Sequence, residues 1–231
     1  SRTVDHIAVS DCRLEVELKA VAGVPILSAI EAFQRVSVPE AAGRLIWSDE
    51  FDDAPKDGRQ APRSDRWAID IWPARKVNDE DQAYTARHQN VRVESGVLIL
   101  EAHQEAYQDA QYTSARVHTK GLLDLQYGQI EVRAKLPRGQ GTWPAIWMLP
   151  SNPFKFATTC DASVPEWQGN ADCDAWPNSG EIDIMEHVGF DPGVVHGTVH
   201  TKAYYWANWN QHKGSIVLPD FDQFHRYQLI W

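Results

Sequence analysis

Three carboxylates crowd into six residues of the stretch Ser179-Gly-Glu-Ile-Asp-Ile-Met-Glu-His-Val-Gly189. In a regular strand, side chains alternate between faces. Glu181 and Asp183 then share one face, with Ile182 and Ile184 on the other. Glu186 would fall on the wrong face. One extra residue, most simply at Met185, would form a β-bulge and return Glu186 to the face of Glu181. Bulges re-aim side chains beside active sites. Like charges brought together in a partly desolvated cleft oppose folding, and they retain a proton near neutral pH. Glycoside hydrolysis uses that state, with one carboxylate to attack the anomeric carbon and one carboxylic acid to protonate the leaving oxygen. An edge strand with solvated acids is the plainer alternative. The apolar Ile182, Ile184 and Met185, and the surrounding Trp residues, argue against it.

The rest of the chain reads as the scaffold for such a strand. Its 231 residues suffice for one sizeable core, and all-β sandwiches of this length often form a single domain. A net charge of -10 shows no basic face, so a nucleic-acid partner is not expected. No apolar run is long enough to cross a membrane as a helix. Aromatics are plentiful, with Trp 10, Tyr 7 and Phe 7, and serve either core packing or sugar stacking. Arg13-Leu-Glu-Val-Glu-Leu-Lys-Ala20 alternates apolar and charged residues, the period of a half-buried strand. Asp5-His-Ile-Ala-Val9 and Pro25-Ile-Leu-Ser-Ala-Ile-Glu-Ala-Phe33 are strand candidates beside it. Residues 37–43 look like a linker.

From Arg44 onward, short strand patterns alternate with turns. Residues 91–102 read as two strands joined at Ser95-Gly96, and 128–136 as another half-buried strand. Trp143-Pro-Ala-Ile-Trp-Met-Leu149 reads as an apolar strand facing a core or a cleft. Residues 150–178 form a loop of a length that is usually functional or an insertion. It holds Cys160 and Cys173, two of three cysteines. A bridge between them would stabilise by roughly 3 kcal/mol, with two free thiols as the alternative. Cys12 is left over. No cysteine or histidine spacing matches a zinc site. Many short strands with regular turns predict an antiparallel sandwich.

The motif Glu-Ile-Asp-Ile-Met-Glu resembles the signature of glycoside hydrolase family sixteen in its bulged, laminarinase-like form. Four more stretches match the family in order around residues 78–87, 112–121, 139–149 and 195–201, and Leu45-Ile-Trp-Ser-Asp-Glu-Phe51 resembles its first strand. The resemblance implies an all-β, concanavalin A-like β-jelly-roll sandwich with a concave substrate cleft, incomplete at the C-terminus because the family domain continues past Trp231. It divides the chain into residues 1–36, which resemble the closing strands of a malectin-like domain, a linker at 37–43, and a catalytic domain from 44 to 231. A simple N-terminal hairpin packed on the main domain is the alternative for the first segment.

By position, the resemblance makes Glu181 the nucleophile and Glu186 the general acid/base of an endo-acting, retaining hydrolase of β-1,3-glucan. Asp183 would hold the nucleophile and share its proton. Retention predicts carboxyls roughly 5–5.5 Å apart. Trp143, Trp147 and Trp176 become candidate sugar platforms. Asn78, Glu80 and Arg87 become candidate hydroxyl binders, and His200 a neighbour of the acid/base. His187 should point to the other face. The resemblance implies no catalytic cofactor, but a structural calcium on the backbone carbonyls of Glu50 and Gly96. It also implies a monomer drawn from a multidomain, extracellular or periplasmic protein. Other β-linked polysaccharides, transglycosylation, and non-catalytic glucan binding on the same fold are the rivals. Mixed-linkage-only and xyloglucan-transferring enzymes usually lack the extra bulge residue, and Met185 counts against them.

Overall fold

The computed structural model describes residues 13–18, 30–32, 44–53, 58–164 and 166–231. The expected strand at 5–9 and the linker at 37–43 lie outside them. Sixteen strands run through the described residues: β1 (Arg13–Leu18), β2 (Ile30–Ala32), β3 (Arg59–Gln60), β4 (Ala68–Ile69), β5 (Gln82–Tyr84), β6 (Val91–Glu94), β7 (Val97–Leu100), β8 (His103–Tyr107), β9 (Ala110–Ser114), β10 (Val117–His118), β11 (Gln129–Lys135), β12 (Ala145–Met148), β13 (Glu181–His187), β14 (Val194–His200), β15 (His212–Val217) and β16 (Phe224–Ile230). The longest helix among the described residues is the single turn α1 (Ala175–Asn178).

The chain divides into two compact units, one of residues 1–41, 126–165 and 172–231, the other of 42–125 and 166–171. The first unit holds two four-stranded sheets, in the orders β11-β16-β1-β2 and β12-β13-β14-β15. Alternation sends Ile182, Val195, Val199 and Ile216 from one sheet against Tyr227 and Leu229 from the other, in one buried cluster closed by Phe221. This is a sandwich, and its core is the far side of the carboxylate strand. The hairpin of β1 and β2 joins this unit, with β1 parallel to β16.

The second unit holds three small sheets. Between β6 and β7, Ser95 and Gly96 both have positive φ, 54° and 77°, the type I′ turn that suits a two-residue hairpin. A second parallel pair, β5 with β9, departs from the purely antiparallel expectation; the 25 residues between Tyr84 and Ala110 are long enough for the crossover. The stretch 45–51, expected as a strand, forms no ladder. Asp49 instead accepts a hydrogen bond from the Phe51 amide at 3.0 Å, a local turn that competes with strand pairing.

Candidate active site

The carboxylate strand is central, with β12 on one side and β14 on the other. Its bulge is visible in both registers. Asp183 faces Thr198 and Glu186 faces His196, so Ile184 and Met185 together face Gly197. Toward β12, Met185 pairs with Ile146 and Asp183 with Trp147, which leaves Ile184 as the unpaired residue. The expected extra residue was Met185; the structure spreads the bulge over the pair. Both side chains are fully buried in the core. Two consecutive core-facing residues are what carry Glu186 back to the face of Glu181 and Asp183. His187 then turns inward, as expected, and stacks on Phe221 at 4.3 Å.

The two end carboxylates have their own donors. The Trp176 indole N–H donates to Glu181 Oε2. The Trp143 indole N–H donates to Glu186 Oε1 at 3.1 Å, and the Thr198 hydroxyl lies 3.4 Å from Oε2. Asp183 is only 3% exposed. Its Oδ2 lies 3.3 Å from His200 Nε2 but off the line of a hydrogen bond, so it remains without a donor there. His200 was expected beside the acid/base. The register places it opposite Glu181, and its nearest carboxylate is Asp183.

Burial, then the neighbouring Asp183, raises Glu181 well above the ordinary carboxyl range. Burial, then Glu186, raises Asp183. Glu181 and Asp183 lie on one face of the strand and both are raised, so the pair retains a proton toward neutral pH. Burial lowers His200, which keeps its imidazole neutral there.

A raised native carboxyl makes stability fall as pH climbs, because the native state binds more protons than the unfolded chain. The Glu181→Gln protein is therefore expected to melt about 3–6 °C higher than wild type at pH 7–8. The gain should vanish near pH 4, where the carboxyl is protonated in both states. Melting curves across that range check it, and a gain independent of pH would contradict it.

The residues that aim the donors lie in the flanking loops. Asp174, two residues before Trp176, is the hub of the long loop. It accepts from the Thr158 and Thr159 amides at 2.7 and 2.9 Å and from Asn178 Nδ2 at 2.7 Å. The Thr158 hydroxyl leads these donors in holding it well below the ordinary carboxylate range. The Cys160–Cys173 disulfide, one residue away, closes the same loop. Trp143 is set by a close backbone approach: the Gly189 amide donates to Thr142 O at 2.8 Å. A Cβ at Gly189 would stand 1.8 Å from Gly139 O. Gly189→Ala is thus expected to displace the 139–142 turn and cost about 1–3 kcal/mol. It should also lower kcat about tenfold by pulling Trp143 off Glu186. Denaturant melts and turnover rates read the two effects, and a variant with wild-type kcat would refute the link.

Other expected residues take quieter places. Trp147 shares the carboxylate face opposite Asp183, half-buried. In the other unit, Asn78 sits exposed in a left-handed turn. Glu80 accepts from Gln82 Nε2 and from the Tyr84 hydroxyl. Arg87 pairs with Glu105 at 2.5 Å and reaches Asn90 Oδ1 at 3.0 Å, so its guanidinium is engaged in a local network. Thr198 and His196 were missed. The alternation in Val-His-Gly-Thr-Val-His, which places His196, Thr198 and His200 on one face, was the signal that could have found them.

The match to the family model for glycosyl hydrolases family 16 covers residues 78–231. A β-glucanase from Rhodothermus marinus is 47% identical over 189 residues, 81% of this chain and 59% of that protein. A glucan endo-1,3-β-glucosidase A1 from Niallia circulans is 35% identical over 84% of this chain and 28% of its own length. The crystal structure of the Rhodothermus marinus laminarinase superimposes with a TM-score of 0.68 at 45% identity, covering 80% of this chain and 66% of that one. A sandwich carrying three carboxylates on one bulged strand thus comes with extended sequence similarity, and the chain belongs to glycoside hydrolase family 16. Its fold is the all-β jelly roll of that family. The chain spans under two thirds of the length of these relatives.

Proposed function

We propose that this chain carries the catalytic carboxylates of an endo-acting, retaining glycoside hydrolase that cleaves β-1,3-glucan. The observation that carries the reading is the bulged strand itself. It puts Glu181, Asp183 and Glu186 on one face, and each end carboxylate has an indole donor. In the proposed reaction Glu181 attacks the anomeric carbon as Glu186 gives its proton to the leaving glucosyl oxygen. That bond breaks and a glycosyl ester forms on Glu181. Glu186, now a carboxylate, takes a proton from water, and the resulting hydroxide equivalent displaces Glu181 and restores the starting state. Asp183 keeps the proton it shares with Glu181 off the attacking oxygen. Trp143, Trp147 and Trp176 would stack glucosyl rings along this face. Asn78, exposed in its turn, would contact hydroxyls directly, Glu80 and Arg87 only by releasing part of their present bonding.

The test is digestion of laminarin by the full-length protein, followed as new reducing ends. Release of oligosaccharides supports the reading. An intact fold that leaves laminarin uncut, but cuts agar, carrageenan or mixed-linkage glucan, would move the substrate. No cutting of any would favour pure binding.

The rest of the reading is proposed with it. The disulfide supports an oxidising, extracellular or periplasmic setting. The division at 1–36, 37–43 and 44–231, and a monomeric state within a multidomain protein, rest on the resemblance. So does a structural calcium on the Glu50 and Gly96 carbonyls. Among the described residues no three His, Cys, Asp or Glu side chains converge on a metal. Two carbonyls fall well short of the roughly 6–8 oxygens calcium takes, so the residues present do not complete that site. If the ion does bind the native protein, EDTA should lower the melting temperature by a few degrees and added calcium restore it. An unchanged melt would remove the ion from the account.

A further inference from the structure

Between β14 and β15 the chain turns through 201–211, which holds Tyr204, Tyr205, Trp206 and Trp209. Trp209 is 91% exposed and Trp206 is 54% exposed. Large aromatics left in water this way contribute little to a core and commonly mark a binding surface.

The segment holds its shape by its own hydrogen bonds. Thr201 and Tyr204 exchange amide-to-carbonyl bonds at 2.7 and 3.1 Å. The Tyr205 amide donates to Asn210 Oδ1 at 3.2 Å, and Asn210 Nδ2 donates to Ala203 O at 3.0 Å. A 3₁₀ turn, Trp206–Asn208, ends on Trp209 at a φ of 56°. That left-handed backbone is costly for a bulky residue, and here it carries an exposed indole.

The surface is continuous with the carboxylates. The Tyr205 ring meets Trp176 edge-on at 5.7 Å, and Trp176 donates to Glu181. The segment's single charged residue is Lys202, beside the amides of Asn208, Asn210 and Gln211. Aromatic faces with neutral amides between them suit a neutral polyhydroxylated chain. They suit an acidic or basic macromolecule poorly.

We propose that residues 201–211 form a second glucosyl-stacking surface. It takes units of the same β-glucan chain beyond those held at the carboxylates, with Trp206 and Trp209 as the stacking rings. This rests on the reading under Proposed function. The test is the double variant Trp206→Ala/Trp209→Ala of the full-length protein, with kcat/KM measured on laminarioligosaccharides of increasing length and on laminarin. Circular dichroism verifies that the fold is kept. The expected result is unchanged kcat/KM on the shortest oligosaccharide cleaved, with a loss of about tenfold on laminarin, borne by KM. Equal values at every length, or an equal loss at every length, would overturn the inference while leaving the reaction in place. A change in sedimentation with unaltered glucan kinetics would assign the surface to self-association and overturn it too. A wild type inert on all glucans would overturn the underlying reading first.

Discussion

Glu181→Gln is expected to lower kcat on laminarin by about three orders of magnitude or more, a barrier increase of roughly 4 kcal/mol. The substitution keeps the volume of the side chain, and its amide oxygen can still accept from the Trp176 indole. What it removes is the oxygen that forms the glycosyl ester. KM should change little, because stacking by the Trp rings does not depend on that charge. The same protein should gain stability at neutral pH, since Glu181 is raised by burial and by Asp183. Lost activity together with gained stability would mark a carboxylate kept for chemistry at the expense of folding. Lost activity with lost stability would point to a structural role.

Glu186→Ala is expected to separate two kinds of substrate. Laminarin has a poor leaving group, so cleavage should fall about a thousandfold without the acid. An aryl laminarioside with a strongly acidic phenol needs no protonation, and its first turnover should stay within about tenfold of wild type. Deglycosylation then lacks its base and should become limiting. Azide needs no base, and it should restore turnover and give a β-glycosyl azide. Trp143 and Thr198 flank this carboxylate, so their donors remain to order the incoming anion. Equal losses on both substrates, without azide rescue, would remove Glu186 from the acid/base role.

Much of this site was legible in the chain because it depends on local rules. Strand alternation places Glu181 and Asp183 together, and one extra residue is needed to add Glu186. The Ser95-Gly96 hairpin and the Cys160–Cys173 bridge follow from short-range chemistry in the same way. The family resemblance, rather than periodicity, supplied the roles. What alternation could not give was the partner register. Whether Ile184 or Met185 stands unpaired depends on where β12 lies, which is set by pairing across the 32 residues between Met148 and Glu181. The same holds for Thr198 beside Glu186 and for His200 nearest Asp183. Asp174 reads as one more polar loop residue until the loop folds back on Thr158 and Thr159. Arg87 reads in sequence as a candidate hydroxyl binder, because its partner Glu105 is far along the chain. The parallel pairing of β5 with β9 carries no local signal at all.

The most direct test of the double-displacement account is to trap its intermediate. A 2-deoxy-2-fluoro-laminarioside with a good leaving group forms the glycosyl ester quickly and hydrolyses it slowly. Peptide mass spectrometry of the inactivated full-length protein then locates the label. The account predicts one glycosyl unit per chain, on the peptide that contains Glu181 and on that residue. A label on Asp183 or Glu186, or continued turnover with inverted product and no label, would contradict it.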